Sequence, residues 1–466
     1  MSTTETDADH SVSTIVGSLI AGVFFGGVGG GVAFPTLPTL GTVLGISPFV
    51  VGLILSTNRI TRLLMNTPAG QLIDRLGARR PMILGFFLQG VAPFGYVLGL
   101  HPDLIPVAGP AEIFVVSRMV WGFGSAFVFV GAYSTVVQVT TEANRGRWIG
   151  YFRGGQSLGF PTGLILGGVI TDVYTYAFAF GAAGVLGMVA MLVAALVLPD
   201  LAVSIEEPAA LRELPRIVRS DPRIFTIGTV NFAVRLLFAG VLLSTIVLYA
   251  DVHGIEIGAF SAVGVSGLIM AISVLCSGLT TVVAGRLSDR LDARALLTIP
   301  ALAVFAFGFG LLGAVPTLPA TVVGVAYIGI GVGGSNPPLL AYLGDIGPDE
   351  DMGKLGGVYN IFGDLGSSVG PILALPLAAR IGYRAEYLAC VGLVIVVAAI
   401  VSRTLVADGT TLPGTAVKVR RGRRPVTRGG GRAKTGSPRA RRASPPARRG
   451  PCTAANASGI QRRTGT

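Results

Sequence analysis

Five arginines and one aspartate stand inside stretches that are otherwise apolar: Arg59, Arg62, Arg118, Arg153, Arg235 and Asp364. A charge in such a setting costs about 2.5 kcal/mol or more on membrane-insertion scales, so each is a functional candidate by default. Asn58, Arg62 and Asn66 recur every fourth residue and form one polar stripe on a helix, with Arg59 beside it. Asp364 lies about ten residues into its run and is the one clear acid near the centre of any of them. A carboxylate that alternates between an apolar setting and an arginine changes its hold on a proton, and proton coupling needs that change. The same residues also allow a permanent Asp364–arginine pair that ties two parts of the chain together. The arginine excess argues for an anionic or amphipathic solute, or for internal pairing, and against a purely cationic solute.

These charges need elements that hold them in an apolar medium. The chain has 466 residues, of which 51% are hydrophobic and 13% charged, whereas a soluble domain carries about 25% charged residues. Apolar runs of about 20 residues recur, each long enough to cross a bilayer. Twelve spans are expected near 13–34, 47–69, 81–100, 110–137, 147–170, 177–199, 224–250, 258–283, 295–315, 319–343, 355–377 and 384–406. Pro35 with Pro38, Pro102 with Pro106, and Pro316 with Pro319 are read as turns between spans. Asn336, followed by Pro337 and Pro338, is read as breaking the tenth helix beside a cavity.

The segment from Gly70 to Arg80 is a short charged hinge between two runs, and the segment from Gly285 to Arg294 repeats it 215 positions later. Both have the form G-x-x-x-D-R-x-[GD]-x-R. Two copies of one charged hairpin imply two copies of one membrane-embedded half. The motif resembles the loop between helices two and three of the major facilitator superfamily of secondary transporters. The second copy departs from that pattern at Asp292, where glycine is usual, and has Ala295 where the first has a second arginine. The resemblance implies an all-α, polytopic membrane protein with twelve transmembrane helices in two pseudo-symmetric six-helix halves. It also implies a conformational latch built from Gly70, Asp74, Arg75, Gly77, Arg79 and Arg80 in the first copy and Gly285, Asp289 and Arg290 in the second. The alternative is that these charges only set topology.

Arg118 with Gly122 resembles the family's R-x-x-x-G pattern, which is linked to proton coupling. Gly155, Gly159, Pro161 and Gly163 resemble the glycine–proline motif of drug:proton antiporters, although Phe160 splits the usual Gly-Pro pair. Gly366, Gly370 and Pro371 carry a closer version of its core. Glycines four apart also let helices pack closely, and packing alone explains both runs. Aligning the two runs sets Arg153 opposite Asp364. Asp364, as the acid near mid-depth, and Arg118, by the R-x-x-x-G resemblance, are the proton-coupling candidates. Arg59, Arg62, Asn66, Arg153, Arg235 and Asn336 are the cavity candidates.

The expected organisation is an N-terminal tail over 1–12, a first half over 13–199, a linker over 200–223, a second half over 224–406 and an arginine-rich tail over 407–466. From Gly409 onward there are 15 Lys and Arg and no acid, so the net charge of +12 belongs to the tail and the remainder carries −3. The tail cannot bury a core. Attraction to anionic lipid, a dispensable extension and nucleic-acid binding are its readings, the last the weakest on a membrane-tethered segment. Residues 1–12 are polar and acidic, so no cleavable signal is expected. Arg75, Arg79, Arg80, Arg145, Arg147, Arg212, Arg216, Arg219, Arg223, Arg286, Arg290, Arg294 and Lys354 fall on one side, against Arg380 and Arg384 on the other. That asymmetry makes the first side, both termini included, cytoplasmic.

His10, His101 and His253 have no partner at ligand spacing, and Cys276, Cys390 and Cys452 are scattered, so no metal or cofactor is expected. Nothing supports an enzyme. The reading is a transporter in the cell membrane, monomeric, moving a small organic solute by alternating access, with proton-coupled efflux first and uptake of an organic anion second. A non-transporting sensor on the same fold is the third reading.

Overall fold

Helices carry all the apolar runs. In a computed structural model, residues 2–104, 108–141, 144–200, 214–291, 294–346 and 352–406 are described. The first half contains α1 (Ser2–Val43), α2 (Pro48–Leu76), α3 (Arg79–Gly99), α4 (Pro110–Val139), α5 (Arg145–Val173) and α6 (Tyr176–Val197). The second contains α7 (Pro222–Val252), α8 (Ala262–Ser288), α9 (Thr298–Ala314), α10 (Leu318–Ile346), α11 (Met352–Ile381) and α12 (Tyr383–Val401). Among the described residues there is no strand. Most of the linker and the whole tail lie outside the described residues, as does Asp292.

Ten of the twelve helices are apolar and long enough to cross a membrane. The two that fall short are α2 and α5, the helices that carry Arg59, Arg62 and Arg153. The helices differ in how deeply they lie in the bundle. The apolar stretch of α7 is 83% buried, while those of α6 and α12 are 33% and 28% buried. The outer faces of α6 and α12 show Phe178, Leu192, Leu196, Leu388, Ile395 and Val396. Such a belt suits hydrocarbon and not water.

The main helix pairs of one half recur in the other. In the first, α1 packs on α5, α2 on α4, and α3 on both α4 and α6; in the second, α7 packs on α11, α8 on α10, and α9 on both α10 and α12. The seam between halves repeats as well, as α2 against α11 and α5 against α8. Glycine spacing builds the strongest of these pairs. Gly155, Gly159, Gly163 and Gly167, each four residues on, face Ile20, Phe24, Val28 and Val32 of α1. A Cβ on Gly159 or Gly163 would overlap a backbone carbonyl oxygen of α1. On α11, Gly366 and Gly370 lie against Phe232, Leu236 and Gly240 of α7 in the same way. Backbones this close gain dispersion contacts, which drive helix association where lipid removes the hydrophobic term.

Three local expectations are corrected. Pro35 and Pro38 lie inside α1, not in a turn. The segment is buried, and Thr36 donates to the Val32 carbonyl at 2.7 Å while Thr39 donates to Thr36 at 3.0 Å. Val32, Ala33, Phe34, Leu37 and Leu40 are all buried around the prolines, and packing on neighbouring helices holds the helix through them. Pro319 likewise sits in the first turn of α10, where a missing N–H costs nothing. Pro337 and Pro338 do not break α10, which runs through to Ile346. Just before them Gly333 meets the Ser277 backbone of α8 and Gly334 the Ala301 side chain of α9, so close packing on both sides holds this stretch.

Candidate functional site

Halfway along α2 and α11, the Arg62 guanidinium donates to the Asp364 carboxylate at 2.8 Å. This ion pair joins the two halves across their seam. Neither side chain is sealed off, with 23% and 21% of their surfaces exposed. The Arg62 guanidinium also lies 5.7 Å from the centre of the Phe129 ring on α4. A cation over an aromatic face is stabilised by its quadrupole.

Three further arginines stand close. Arg59 is within electrostatic reach of Arg62, Asp364, Arg235 and Arg118. Arg118 is 1% exposed, and its guanidinium donates to the carbonyls of Ile54 and Leu55 on α2, both at 3.3 Å. It therefore pins α4 to α2 through backbone oxygen. Arg235 is the last α-helical residue before Leu236–Leu242, which adopts a π-helix inside α7. The wide turn coincides with the place where Gly240 meets Gly370 backbone to backbone. Facing it, Tyr359 donates to Asn336 at 3.0 Å, and Asn231 donates to the Tyr359 carbonyl at 2.7 Å. These bonds brace α7, α10 and α11 around the cluster.

The partner of Asp364 is thus Arg62, not the arginine that repeat alignment sets opposite it. Arg153 is exposed on α5 and makes no ion pair among the described residues. Repeat symmetry relates α5 to α11 but does not bring them into contact. The seam pairs α11 with α2 instead. Asn66 is half-buried one turn beyond Arg62, and no hydrogen bond from it is seen among the described residues.

The hinges sit at one end of the bundle, here termed the hinge end. Gly77 closes α2 at φ +77°, a conformation that costs glycine least. Arg79 then reaches back to α6, donating to the Ala195 carbonyl at 2.9 Å and to Asp200 at 3.3 Å. In the second copy Arg294 pairs with Asp345 at 3.5 Å. Each of these bonds stays inside its own half. Asp74, Arg75, Arg80, Asp289 and Arg290 are exposed. Gly70 makes no close approach here. A Cβ on it would meet nothing within 4 Å, and one on Gly285 only Pro337 of the same half, at 3.9 Å. Close approach across the seam occurs at the far end instead.

There, a Cβ on Gly52 would overlap the Pro371 carbonyl, so that Gly52 and Pro371 seal α2 to α11. Gly168 and Gly267 bring α5 and α8 together in the same way. Asp172, in the last turn of α5, accepts hydrogen bonds from the backbone N–H of Ser261 at 2.8 Å and from the Ser261 hydroxyl. Ser261 caps the start of α8, so a carboxylate of one half holds a helix N-terminus of the other. Sequence reasoning missed Asp172 because it lies just past the expected span. The one available signal was an acid in a last turn with a serine before a later run. It also missed Glu386, 2% exposed near the start of α12, with neither carboxylate oxygen partnered among the described residues.

A two-fold helical bundle with a lipid-suited surface and a charged centre at mid-depth defines a multi-pass membrane protein with a central polar site. Family comparison agrees. The model of the Major Facilitator Superfamily matches residues 19–279 and 260–445, and the chain belongs to that family. Among curated relatives it is similar to Multidrug resistance protein 1 of Bacillus subtilis (strain 168), 27% identical over 157 residues, 34% of this chain and 38% of that one. It is also similar to Multidrug resistance protein 2 of the same organism, 26% identical over 194 residues, 42% of this chain and 46% of that one. The chain therefore spans less than half the length of these two relatives in either match. Among solved structures, a bacterial homolog of the human lysosomal transporter Spinster, inward-facing and unoccupied, superposes with a TM-score of 0.68 at 16% identity, covering 85% of this chain and 98% of that one.

Proposed function

We propose that this chain is a secondary active transporter of a small organic solute, working as a single chain by alternating access with protons as the coupling ion. The Arg62–Asp364 pair carries the reading. It bridges the halves at mid-depth, where a change in their separation must break or make it. A proton on Asp364 neutralises the carboxylate, weakens its bond to Arg62 and so loosens the halves. The duplicated seam supports the same motion, because two halves joined by narrow backbone contacts can rock as rigid bodies. Arg118 positions the stretch of α2 that presents Arg59 and Arg62. Asp74, Arg75 and Asp289 form the latch that engages when the hinge end closes. The hinge end faces the cytoplasm, on the strength of its arginines, and the protein resides in the cell membrane.

Two directions fit this machine. Export is supported by the relatives named as multidrug resistance proteins. Uptake of an organic anion is supported by Arg59, which stands within electrostatic reach of Arg62, Arg118 and Arg235 but of a single aspartate, Asp364. The test is proton flux in inside-out vesicles on addition of a transported solute. Asp364→Asn is expected to abolish solute-driven proton movement while leaving the protein folded. Unchanged flux would remove the coupling role from Asp364.

A further inference from the structure

Arg59 stands within electrostatic reach of Arg62, Arg118, Arg235 and Asp364, and the Arg235 side chain lies against Gly363, the residue before Asp364. Two of the four arginines are accounted for. Arg62 is paired with Asp364, and Arg118 is bonded to the Ile54 and Leu55 carbonyls. The other two are not. Neither Arg59 nor Arg235 makes an ion pair or donates a side-chain hydrogen bond among the described residues, and neither holds a nitrogen that is both sealed and unpartnered. Both side chains are partly exposed. Uncompensated cations at mid-membrane are costly, and they repel one another. A structure that keeps two of them open at one place has a use for a counter-anion.

We propose that Arg59 and Arg235 form the binding site of an organic anion, whose carboxylate, sulfonate or phosphonate head is clamped between them. This rests on the transporter reading above and names the substrate class of the same site. The guanidinium fork matches such oxyanions through paired hydrogen bonds, which an ammonium or an amide does not reproduce. Position adds a consequence. Arg59 is on α2 of the first half and Arg235 on α7 of the second, so a bound head joins the halves as the Arg62–Asp364 pair does. The anion and the Asp364 carboxylate also compete for one positive field. A proton on Asp364 therefore strengthens anion binding, and bound anion strengthens proton binding, by thermodynamic reciprocity. Solute and proton then travel together, which selects uptake over exchange.

The experiment is thermal unfolding of the purified full chain in lipid nanodiscs, with 2-naphthoate and 2-naphthalenesulfonate as anionic probes and tetraphenylphosphonium as the cationic one. A ligand of the folded state raises the unfolding midpoint by mass action. At millimolar concentration either anion is expected to raise the midpoint by several degrees, and the cation to leave it in place. Arg59→Gln and Arg235→Gln are each expected to abolish the anion shift. Asp364→Asn removes the competing carboxylate and is expected to raise anion affinity by about tenfold. If Arg235→Gln does not fold, Arg235→Lys keeps the charge but not the fork and is expected to weaken binding severalfold. Stabilisation by the cation alone, no shift with either anion, or an anion shift that survives loss of both arginines overturns the proposal. The readout uses no proton gradient, so it is separate from the flux test. A protein that binds the anions but moves no protons retains the site and loses only the coupling.

Discussion

At the far end of the molecule, Gly52 lies against the Pro371 backbone and Gly168 against Gly267; at the hinge end, a Cβ on Gly150, Gly154 or Gly278 would meet nothing within 4 Å. The same two helices, α5 and α8, supply glycines to both ends. At the far end the seam is closed by backbone against backbone and by the Asp172–Ser261 cap. Toward the hinge end Tyr151, Leu158, Leu279, Val282 and Val283 are uncovered on these helices. The structure is therefore shut at the far end and parted at the hinge end, with the Arg62–Asp364 pair between. The difference teaches that the seam uses its glycines unevenly, with close approach at one end and none at the other. Within each half the glycine ladders of α5 on α1 and α11 on α7 hold the bundle together. Between halves, only the far-end glycines make such contacts among the described residues.

The sharpest way to break this comparison is to fill the closed end. Gly168→Val places branched carbons into the backbone of Val263 and Gly267, where overpacking costs about 1–3 kcal/mol or more. The halves are expected to part at the far end. Labelling of a cysteine at Thr171 by a membrane-impermeant maleimide, with Cys276, Cys390 and Cys452 replaced, should rise by about tenfold or more. Labelling as slow as in the parent would mean that Gly168 does not seal the seam.

A smaller effect is expected from Asp172→Asn. The amide keeps the shape and one acceptor but loses the charge that favours the α8 N-terminus. Hydrogen bonds to charged groups contribute about 1.5–3 kcal/mol, and the half-buried position reduces the loss to about 1 kcal/mol. The same labelling should rise by about fivefold. The smallest effect belongs to the open end. Gly154→Ala meets no neighbour and improves helix propensity, so chemical denaturation should show stability unchanged or raised by about 0.5–1 kcal/mol. A marked loss of stability there would show that the hinge end is closed in solution.

Much of this was legible in the residues. The twelve spans, the 215-residue repeat and the four-residue glycine ladders all follow from local periodicity, and periodicity is written along the chain. Even the two spans of low hydropathy were marked by their arginines. The misreadings share a cause. Pro35, Pro38, Pro337 and Pro338 look like breaks to a rule learned in water, where a freed carbonyl finds solvent; inside a bundle the helix is the cheaper conformation. Repeat alignment sets Arg153 opposite Asp364 but does not say which arginine meets it, because equivalent helices of a two-fold bundle are not neighbours; the partner is Arg62.

The sequence by itself determined the elements, their duplication and the presence of excess positive charge at mid-depth, because each is a matter of residue type and spacing. Only the tertiary structure decided which charges meet. It joined Arg62 to Asp364 across about 300 residues of chain, turned Arg118 onto backbone carbonyls, left Arg59 and Arg235 open and brought Asp172 to Ser261. Those outcomes depend on how one half lies against the other, and that placement is set by surfaces assembled from many helices, with no record in any single stretch of sequence.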